Sequence, residues 1–187
     1  LSTPYNFCDV DFLEDLNVVG YKIASGQLVE PPFLRYVAER NKPMIVSTGM
    51  GYLSDVDTAV RVFQETGNQQ YALLQCVTDY PASPSDSNIL AMKTMEDVFR
   101  CVVGYSDHTQ NDLSILSAVS LGAKVIEKHF TLDKKLPGPD HSSSADPKEM
   151  TLLISRIREL ETCLGSGRKI PTEAEISNSK GMRRSLV

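Results

Sequence analysis

The sequence predicts an α/β protein, a TIM-type (β/α)8 barrel that is incomplete here, with about six of the eight βα units present and the N-terminal units missing. Two observations predict this class. First, β-rich runs alternate with helical patterns roughly every 20 to 30 residues, which is typical of parallel sheets. Second, almost every β-rich run ends in polar or small residues. Only a barrel brings all strand ends to one mouth, whereas a doubly wound sheet uses those at its switch point.

The individual elements follow from hydrophobic periodicity and from turn residues between the periodic segments. Strands are predicted at 21–24, 44–46, 71–74, 102–105 and 124–126, with a stub of another strand at 1–3. Helices are predicted between them, at about 32–39, 54–67, 88–98, 113–121 and 146–165.

Capping residues support two of these helices. Ser54 and Asp57 have the spacing of a capping box, and Gly67 can end the helix that they begin. Asp146 and Glu149 form a second predicted capping box at the start of the last helix. We therefore expect helices to begin close to positions 54 and 146.

The pattern divides the chain at residue 165. Residues 1–165 are predicted to be the C-terminal three-quarters of the barrel. Residues 166–187 are polar and contain Pro171, which indicates a linker leading out of the domain. The first residue is Leu1 rather than Met, so we expect the true N-terminus to lie elsewhere.

Composition excludes several classes of partner. The formal net charge is -5, which is unfavourable for polyanions, so no nucleic acid partner is expected. No stretch has the length and apolarity of a membrane span and no secretory signal is visible, so no membrane partner is expected either. The four cysteines form no CxxC pair and are expected to be reduced thiols. These features predict a cytoplasmic protein.

Two lysines differ in their predicted orientation. Lys22 lies inside an otherwise apolar strand, where burial without a partner is costly. It is either a cation for a substrate carboxylate or phosphate, or a lysine at a sheet edge whose ammonium reaches solvent. Lys128 is expected to face away from the mouth of the barrel, because strand side chains alternate.

The histidines are confined to positions 108 to 141. His108 and His129 each end a strand, on neighbouring staves of the predicted barrel, so their imidazoles could meet at one divalent metal ion used as a Lewis acid. The alternative is a pair of hydrogen-bonded structural histidines. The Pro/Gly segment before His141 could hold Asp140 over the same mouth, or it could be an ordinary turn.

An ordered set of motifs spans essentially the whole chain. They are STPY at 2–5, YKIASG at 21–26, KPMIVSTGM at 42–50, ALLQC at 72–76, YP at 80–81, GYSDHT at 104–109, GAKVIEKHFT at 122–131, LPGPDH at 136–141 with Ser144, and MRRSLV at 182–187. In these motifs the sequence resembles the sialic acid synthase family of bacterial type. The family condenses phosphoenolpyruvate with a sugar aldehyde to make N-acetylneuraminate and related nonulosonates.

The resemblance implies a catalytic barrel, a Mn²⁺ or Mg²⁺ cofactor, and condensation of phosphoenolpyruvate with the open-chain aldehyde of N-acetylmannosamine. His108 and His129 match the family's metal ligands, and Lys22 is a catalytic and substrate-binding candidate. Other matches hold phosphoenolpyruvate, at Thr3, Ser25, Ser47 and Ser106, or contact the sugar, at Tyr80 and Asp140.

Two residues depart from the family's usual pattern. Gln27 stands where the family usually has an acid, and a glutamine is expected to position water or a hydroxyl but not to act as a base. Thr78 stands where some members bind phosphoenolpyruvate with asparagine, and its hydroxyl can still donate. We therefore keep Gln27 as a catalytic and Thr78 as a substrate-binding candidate.

Several alternatives stay open from the sequence. A legionaminic or pseudaminic acid synthase would act on a modified hexose, and a catalytically weak barrel would serve as a binding domain. A different metal-dependent barrel, an aldolase or hydrolase, would need a carboxylate or carbamylated lysine between the histidine strands, and the sequence offers no clear candidate.

Family resemblance also implies parts that lie outside this chain. In the family, the first barrel strands supply further polar groups. A C-terminal antifreeze-like domain, which would follow the linker at 166–187, closes the partner's sugar site in a domain-swapped homodimer. We therefore expect this chain to be part of a longer, dimeric protein.

Overall fold

A computed structural model describes residues 1–184 of the chain. It contains one five-stranded sheet in which every neighbouring pair is parallel and the strands follow each other in chain order. The strands are β1 Tyr21–Ile23, β2 Met44–Ser47, β3 Tyr71–Cys76, β4 Val102–Asp107 and β5 Val125–Lys128. Sequential order with a helical crossover at each step is the topology of a curled, partial barrel, and the strand order does not reverse as in a doubly wound sheet.

The stub predicted at 1–3 does not form a full strand. Ser2 makes a single parallel bridge to Tyr21, and its carbonyl oxygen accepts a hydrogen bond of 2.9 Å from the Lys22 amide. Pro4 follows and has no amide hydrogen to extend the ladder. The described residues therefore contain five strands and two isolated bridges, that of Ser2 with Tyr21 and that of Phe130 with Ala145, so the sixth predicted strand is present only as a bridge.

Helices occupy the connections between the strands and continue beyond them. They are α1 Phe7–Asp15, α2 Pro31–Ala38, α3 Leu53–Thr66, α4 Leu90–Phe99, α5 Leu113–Ser120, α6 Pro147–Leu164 and α7 Glu173–Met182. The sequence analysis did not anticipate α1 or α7. The side chain of Asn6 caps α1 in a reciprocal capping box with Asp9, a local signal that could have been found. No helix among residues 1–184 is long and apolar enough to cross a membrane.

The two predicted capping boxes have different outcomes. Asp146 accepts hydrogen bonds from the amides of Lys148 and Glu149 at the start of α6, as predicted. At α3, however, Ser54 lies inside the helix and the cap is Tyr52, whose amide donates to the Asp55 carboxylate at 2.8 Å. The prediction of a Ser54 cap was therefore wrong by two residues, because the carboxylate of Asp55 closes the first turn.

Burial separates the two faces of the sheet. The outward face is apolar and packs on α2 to α5, and Tyr21, Ile23, Val46 and Leu73 are fully buried there. The inward face becomes polar toward the carboxyl ends of the strands, where Ser47 and Ser106 lie. Helix α7 falls within the predicted linker and has no buried residue, and positions 185–187 of the MRRSLV motif lie outside the described residues.

A polar link stabilises the amino end of β1. Tyr21 is fully buried, and its hydroxyl donates to Glu14, which also lies 2.7 Å from the Lys42 ammonium. The hydrogen bond from Lys42, followed by that from Tyr21, holds the pKa of Glu14 below its usual value. The charged form of Glu14 is therefore the form that joins α1 to the sheet.

We expect Tyr21→Phe to lower the free energy of unfolding of the full-length protein by about 1.5 kcal/mol, because Glu14 loses a charge-assisted hydrogen bond. Urea unfolding measures the change, with Tyr52→Phe as the matched control because Tyr52 is 80% exposed. The stabilisation by Glu14 is complete above its ordinary pKa and is lost as the pH falls through its lowered folded-state pKa. The difference between variant and unmodified protein should therefore shrink in acid, and identical urea midpoints at neutral pH would contradict the prediction.

Candidate active site

A cavity of about 470 Å³ opens at the carboxyl ends of the strands. It is lined by groups from all five strands or the loops that follow them, and by the segment that precedes α1. The lining residues are Thr3, Tyr5, Lys22, Ala24, Ser25, Gly26, Ser47, Met50, Cys76, Thr78, Tyr80, Ser106, His108, Glu127, His129 and Asp140. All of the site residues predicted from the sequence belong to this set except Gln27.

Strand alternation explains why these side chains converge. In the ladder of β3, β4 and β5, Cys76 pairs with Ser106 and Ser106 pairs with Glu127. Directly paired residues in a parallel sheet point to the same face, and every second residue along a strand shares that face. His108 and His129 each lie two residues beyond a member of this row, so they extend the same inward face toward the mouth.

The two strand-end histidines face each other. The ring centroids of His108 and His129 are 5.1 Å apart, with an angle of 78° between the ring planes. Nδ1 of His108 lies 2.7 Å from the carbonyl oxygen of Val77. A carbonyl oxygen can only accept, so Nδ1 carries the proton and Nε2 of the neutral ring presents a free lone pair. A backbone hydrogen bond of this kind is what orients metal-binding histidines.

His129 is held between a carboxylate and an aromatic ring. Its Nδ1 lies 3.7 Å from the nearest carboxylate oxygen of Asp140. The Tyr80 ring lies over both imidazoles, with its centroid 4.2 Å from that of His108 and 5.6 Å from that of His129. Burial, followed by the neighbouring His108, lowers the pKa of His129 and favours its neutral, metal-binding form.

Any metal ion held by the histidine pair would keep open coordination positions. Among residues 1–184, no group of three or more histidine, cysteine, aspartate or glutamate side chains is placed to hold a metal ion. The histidine pair alone therefore offers two nitrogen donors and leaves the remaining coordination positions to water, substrate or a carboxylate that moves. Open positions are a property of catalytic metal sites, whereas structural sites are closed.

Lys22 brings a buried positive charge into the cavity. Its side chain is 15% exposed, and its ammonium donates to the Ile23 carbonyl oxygen at 2.9 Å and lies 3.5 Å from Glu127. Burial lowers the pKa of Lys22, and the Glu127 carboxylate partly offsets that effect. The ammonium therefore faces the cavity. The alternative interpretation, in which the ammonium of Lys22 reaches open solvent, is not what the structure shows.

Glu127 is a cavity residue that the sequence analysis missed. Its carboxylate accepts a hydrogen bond of 2.7 Å from the Ser106 hydroxyl and forms the ion pair with Lys22. It lies on the strand of His129, where the sequence analysis saw no clear carboxylate. Its position two residues before His129 was the available signal, because that spacing gives both side chains the same face of β5.

Hydroxyl groups at or after the ends of β1, β2 and β3 also line the cavity. The Ser47 hydroxyl is buried and has no hydrogen-bond partner. The Ser25 hydroxyl accepts from the Gly49 amide at 3.0 Å. A Cβ at position 49 would lie 2.4 Å from the Thr78 hydroxyl oxygen and 2.8 Å from that of Ser25. Glycine at position 49 therefore allows these hydroxyls to gather around one space.

Gln27 does not reach this space. Its side chain is buried, its amide nitrogen donates to the Pro4 carbonyl oxygen at 2.6 Å, and its amide oxygen accepts from Ala24 at 3.1 Å. Both functional groups are thus engaged with backbone. The structure corrects the expectation that Gln27 positions a reacting group, because the side chain instead ties the turn that carries Ser25 to the segment before α1.

The third histidine also lies outside the cavity. His141 Nδ1 lies 2.7 Å from the Thr131 hydroxyl, which supports the loop before α6. The Asp140 carbonyl oxygen accepts hydrogen bonds from the hydroxyls of Ser143 and Ser144 in the same loop. These contacts place Asp140 at the cavity while His141 faces the base of the loop.

Comparison with solved structures agrees with the architecture. The chain superimposes on the N-acetylneuraminic acid (sialic acid) synthetase of Leptospira borgpetersenii, solved with citrate, with a TM-score of 0.87 and 33% identity, covering 98% of this chain and 65% of that one. It also superimposes on the phospho-2-dehydro-3-deoxyheptonate aldolase of Thermotoga maritima with a TM-score of 0.76 and 16% identity, covering 87% of this chain and 51% of that one. The second likeness concerns the fold alone and supports a partial barrel.

Sequence comparison identifies the family. The chain is 43% identical to the N,N'-diacetyllegionaminic acid synthase of Campylobacter jejuni over 189 residues, covering all of this chain and 57% of that protein. The chain spans about half the length of the curated relatives it matches. The model of the NeuB family matches residues 1–169. This match confirms the resemblance to sialic acid synthases, and the chain belongs to the NeuB family.

Proposed function

We propose that the protein containing this chain condenses phosphoenolpyruvate with the open-chain aldehyde of an N-acetylated amino sugar, in the biosynthesis of a sialic-acid-like sugar. The observation that carries the proposal is the cavity itself. It combines a buried ammonium on Lys22, an unpartnered hydroxyl on Ser47 and a facing pair of imidazoles, His108 and His129. Membership of the NeuB family supports the same reaction.

The anionic substrate would occupy the side of the cavity that holds Lys22. An ammonium and several hydroxyl donors suit a carboxylate and a phosphate, and fixed donors hold the substrate in the reactive orientation. We assign this role to Lys22 together with Thr3, Ser25, Ser47, Thr78 and Ser106, all of which line the cavity. Once phosphoenolpyruvate is bound, its negative charge would compete with Glu127 for the Lys22 ammonium.

The aldehyde would occupy the side that holds the histidines. A Mn²⁺ or Mg²⁺ ion bound by His108 and His129 would polarise the aldehyde oxygen and make its carbon more electrophilic. Tyr80 and Asp140 lie beside the imidazoles and are the groups we assign to the sugar. The enol carbon of phosphoenolpyruvate then forms the new C–C bond, water adds at its C2, and phosphate leaves by C–O cleavage.

Glu127 is the group that we assign to the water. The water that adds at C2 must give up a proton, and an amide such as Gln27 cannot accept it. The Glu127 carboxylate lies in the cavity between Ser106 and Lys22, at 2.7 Å and 3.5 Å respectively. It therefore borders the groups assigned to phosphoenolpyruvate, where the water that adds at C2 would need a general base.

Three groups of acceptor sugar are to be distinguished. N-acetylmannosamine, which gives N-acetylneuraminate, is the acceptor implied by the sequence resemblance. A diacetylated hexose, which gives a legionaminic acid, is favoured by the 43% identity to a legionaminic acid synthase. Pseudaminic acid precursors form a third group to test.

We also propose the setting in which this reaction takes place. We infer a cytoplasmic, domain-swapped homodimer in which residues 166–187 lead to a C-terminal antifreeze-like domain that closes the partner's sugar site. Residues 1–165 contribute the catalytic barrel.

The direct test is phosphate release by the full-length protein. With phosphoenolpyruvate, Mn²⁺ and each of the three acceptors in separate reactions, we expect phosphate to appear with one acceptor and to stop when a chelator is added. The acceptor that works identifies the sugar. Absence of metal-dependent phosphate with all acceptors would favour the alternative, a barrel used as a binding domain.

Replacement of His129 tests the metal assignment. We expect His129→Ala to weaken Mn²⁺ binding by at least about 100-fold, because the ion loses one of two protein nitrogen donors. Isothermal titration with Mn²⁺ measures it, and His141→Ala, which changes a histidine outside the cavity, is the matched control. Equal affinity in His129→Ala and the unmodified protein would refute the assignment.

Replacement of Glu127 tests the proton acceptor. We expect Glu127→Gln to lower kcat by about 100-fold or more, because the amide keeps the hydrogen bond to Ser106 but cannot take a proton. The exposed Glu159→Gln is the matched control. If Glu127→Gln kept full kcat, the base would have to lie elsewhere in the full-length protein.

A further inference from the structure

We propose that Asp107 and Lys128 are positioning residues whose buried ion pair sets the separation of His108 and His129. The pair joins the carboxyl ends of β4 and β5 on the face of the sheet away from the cavity. The proposal rests on the function proposed for the histidine pair and adds to it the device that holds the two imidazoles in place.

The ion pair is buried, and both of its partners make further hydrogen bonds. The Lys128 ammonium lies 2.6 Å from the Asp107 carboxylate, and the side chains are 9% and 0% exposed, respectively. The other carboxylate oxygen of Asp107 accepts from the Thr109 hydroxyl at 2.9 Å and from the Thr109 amide at 3.2 Å. Neither charged group contacts the cavity, so neither is available to substrate.

Register places the ion pair directly behind the histidines. Asp107 and Lys128 are partners in the β4–β5 ladder, and each immediately precedes a cavity histidine. Alternation along the strands sends the charged pair to one face and the imidazoles to the other. Any change in the distance between the paired backbones at this row therefore moves His108 relative to His129.

The ladder itself ends at this row. The pairing of β4 with β5 stops at Asp107 and Lys128, and the carbonyl oxygens of the histidines accept from other segments, at 2.9 Å from Ala82 and 2.9 Å from Ala145. No backbone hydrogen bond of the described residues joins His108 to His129. The side-chain ion pair is thus the last cross-strand link before the imidazoles.

Lys128 also contacts the residues on both sides of His108 in the chain. Its ammonium donates to the Asp107 carboxylate and to the carbonyl oxygen of Thr109, which are the residues on either side of His108. One cation on the strand of His129 thereby holds the backbone on both sides of His108. An apolar pair of similar size could fill the same space but could not make these two directed contacts.

A purely stabilising role would not require charges at this position. A buried ion pair is often no more stabilising than well-packed apolar residues, because desolvation offsets the attraction between the charges. Directed hydrogen bonds, in contrast, fix the orientation of metal ligands, and their loss weakens metal binding. The two roles therefore predict different outcomes when the pair is replaced by apolar residues.

The test replaces both charges in the full-length protein with the double variant Asp107→Leu and Lys128→Met. We expect the variant to fold, with a thermal midpoint near that of the unmodified protein, but to bind Mn²⁺ about 10- to 100-fold more weakly. Isothermal titration with Mn²⁺ alone gives the affinity. A folded variant with unchanged affinity would overturn the proposal.

The conservative variant Asp107→Asn covers the case in which the double variant does not fold. An asparagine keeps an acceptor for Thr109 but loses the charge that holds Lys128, so we expect a folded protein with a smaller loss of affinity. Unchanged affinity in this variant, or failure of both variants to fold, would assign the pair to stability and reject a positioning role.

The matched control is the ion pair of Glu14 and Lys42, at the opposite end of the sheet. Glu14→Gln combined with Lys42→Met removes an ion pair of 2.7 Å without touching the histidine strands. We expect it to lower stability and to leave the affinity for Mn²⁺ unchanged. Equal losses of affinity in the control and the double variant would point to a general effect of destabilisation and count against the proposal.

A metal-free measurement separates this proposal from the proposed function. Nitrogen NMR spectra of protein labelled at its histidine rings report which ring nitrogen carries the proton. We expect Nδ1 of His108 to carry it, because Nδ1 lies 2.7 Å from the Val77 carbonyl oxygen. We expect this signature to change in the double variant and to persist in the Glu14 and Lys42 control. If the unmodified protein bound no Mn²⁺ but the signature still changed, the metal function would fail and the positioning role would stand. An unaltered signature would overturn it.

Discussion

The inward row formed by Cys76, Ser106 and Glu127 is the feature on which the site depends. Direct pairing across three parallel strands gives these residues the same face and the same height. The histidines that follow on β4 and β5 continue that face to the mouth. A shift of one residue in either ladder would turn His108 or His129 toward the helices. The parallel register therefore decides which side chains face the cavity.

The same register places two lysine–carboxylate ion pairs on opposite faces of the sheet at the strand ends. Inside the cavity, Lys22 is paired with Glu127 at 3.5 Å, a contact loose enough for an incoming anion to compete for the ammonium. Behind the cavity, Lys128 is paired with Asp107 at 2.6 Å and is closed to substrate. The first pair is compatible with the role proposed for Lys22, because an incoming anion could replace Glu127 as its partner. The second is suited to positioning because burial and additional hydrogen bonds hold it in one arrangement.

Much of the site was predictable because strand-end polarity is a local property of the chain. Lys22, Ser47 and Ser106 interrupt or end apolar runs, and all of them line the cavity. The sequence misplaced Gln27 because a residue beside a motif can face either side of a turn, and its side chain turned to the Pro4 carbonyl. It overlooked Glu127 because the strand was predicted to end at position 126, although the two-residue spacing to His129 carried the information.

Three features were readable from the sequence: the alternation of strands and helices, the capping of α6 by Asp146, and the placement of two histidines at strand ends. These features depend on the hydrophobic periodicity and the hydrogen bonding of residues that are close together in the chain. Three further contacts became visible only in the folded chain: the Tyr80 ring packs against both imidazoles, Glu127 contacts Lys22, and Lys128 contacts the residues on either side of His108. Those contacts join segments far apart in the chain, and their distances are set by the curvature and register of the whole sheet.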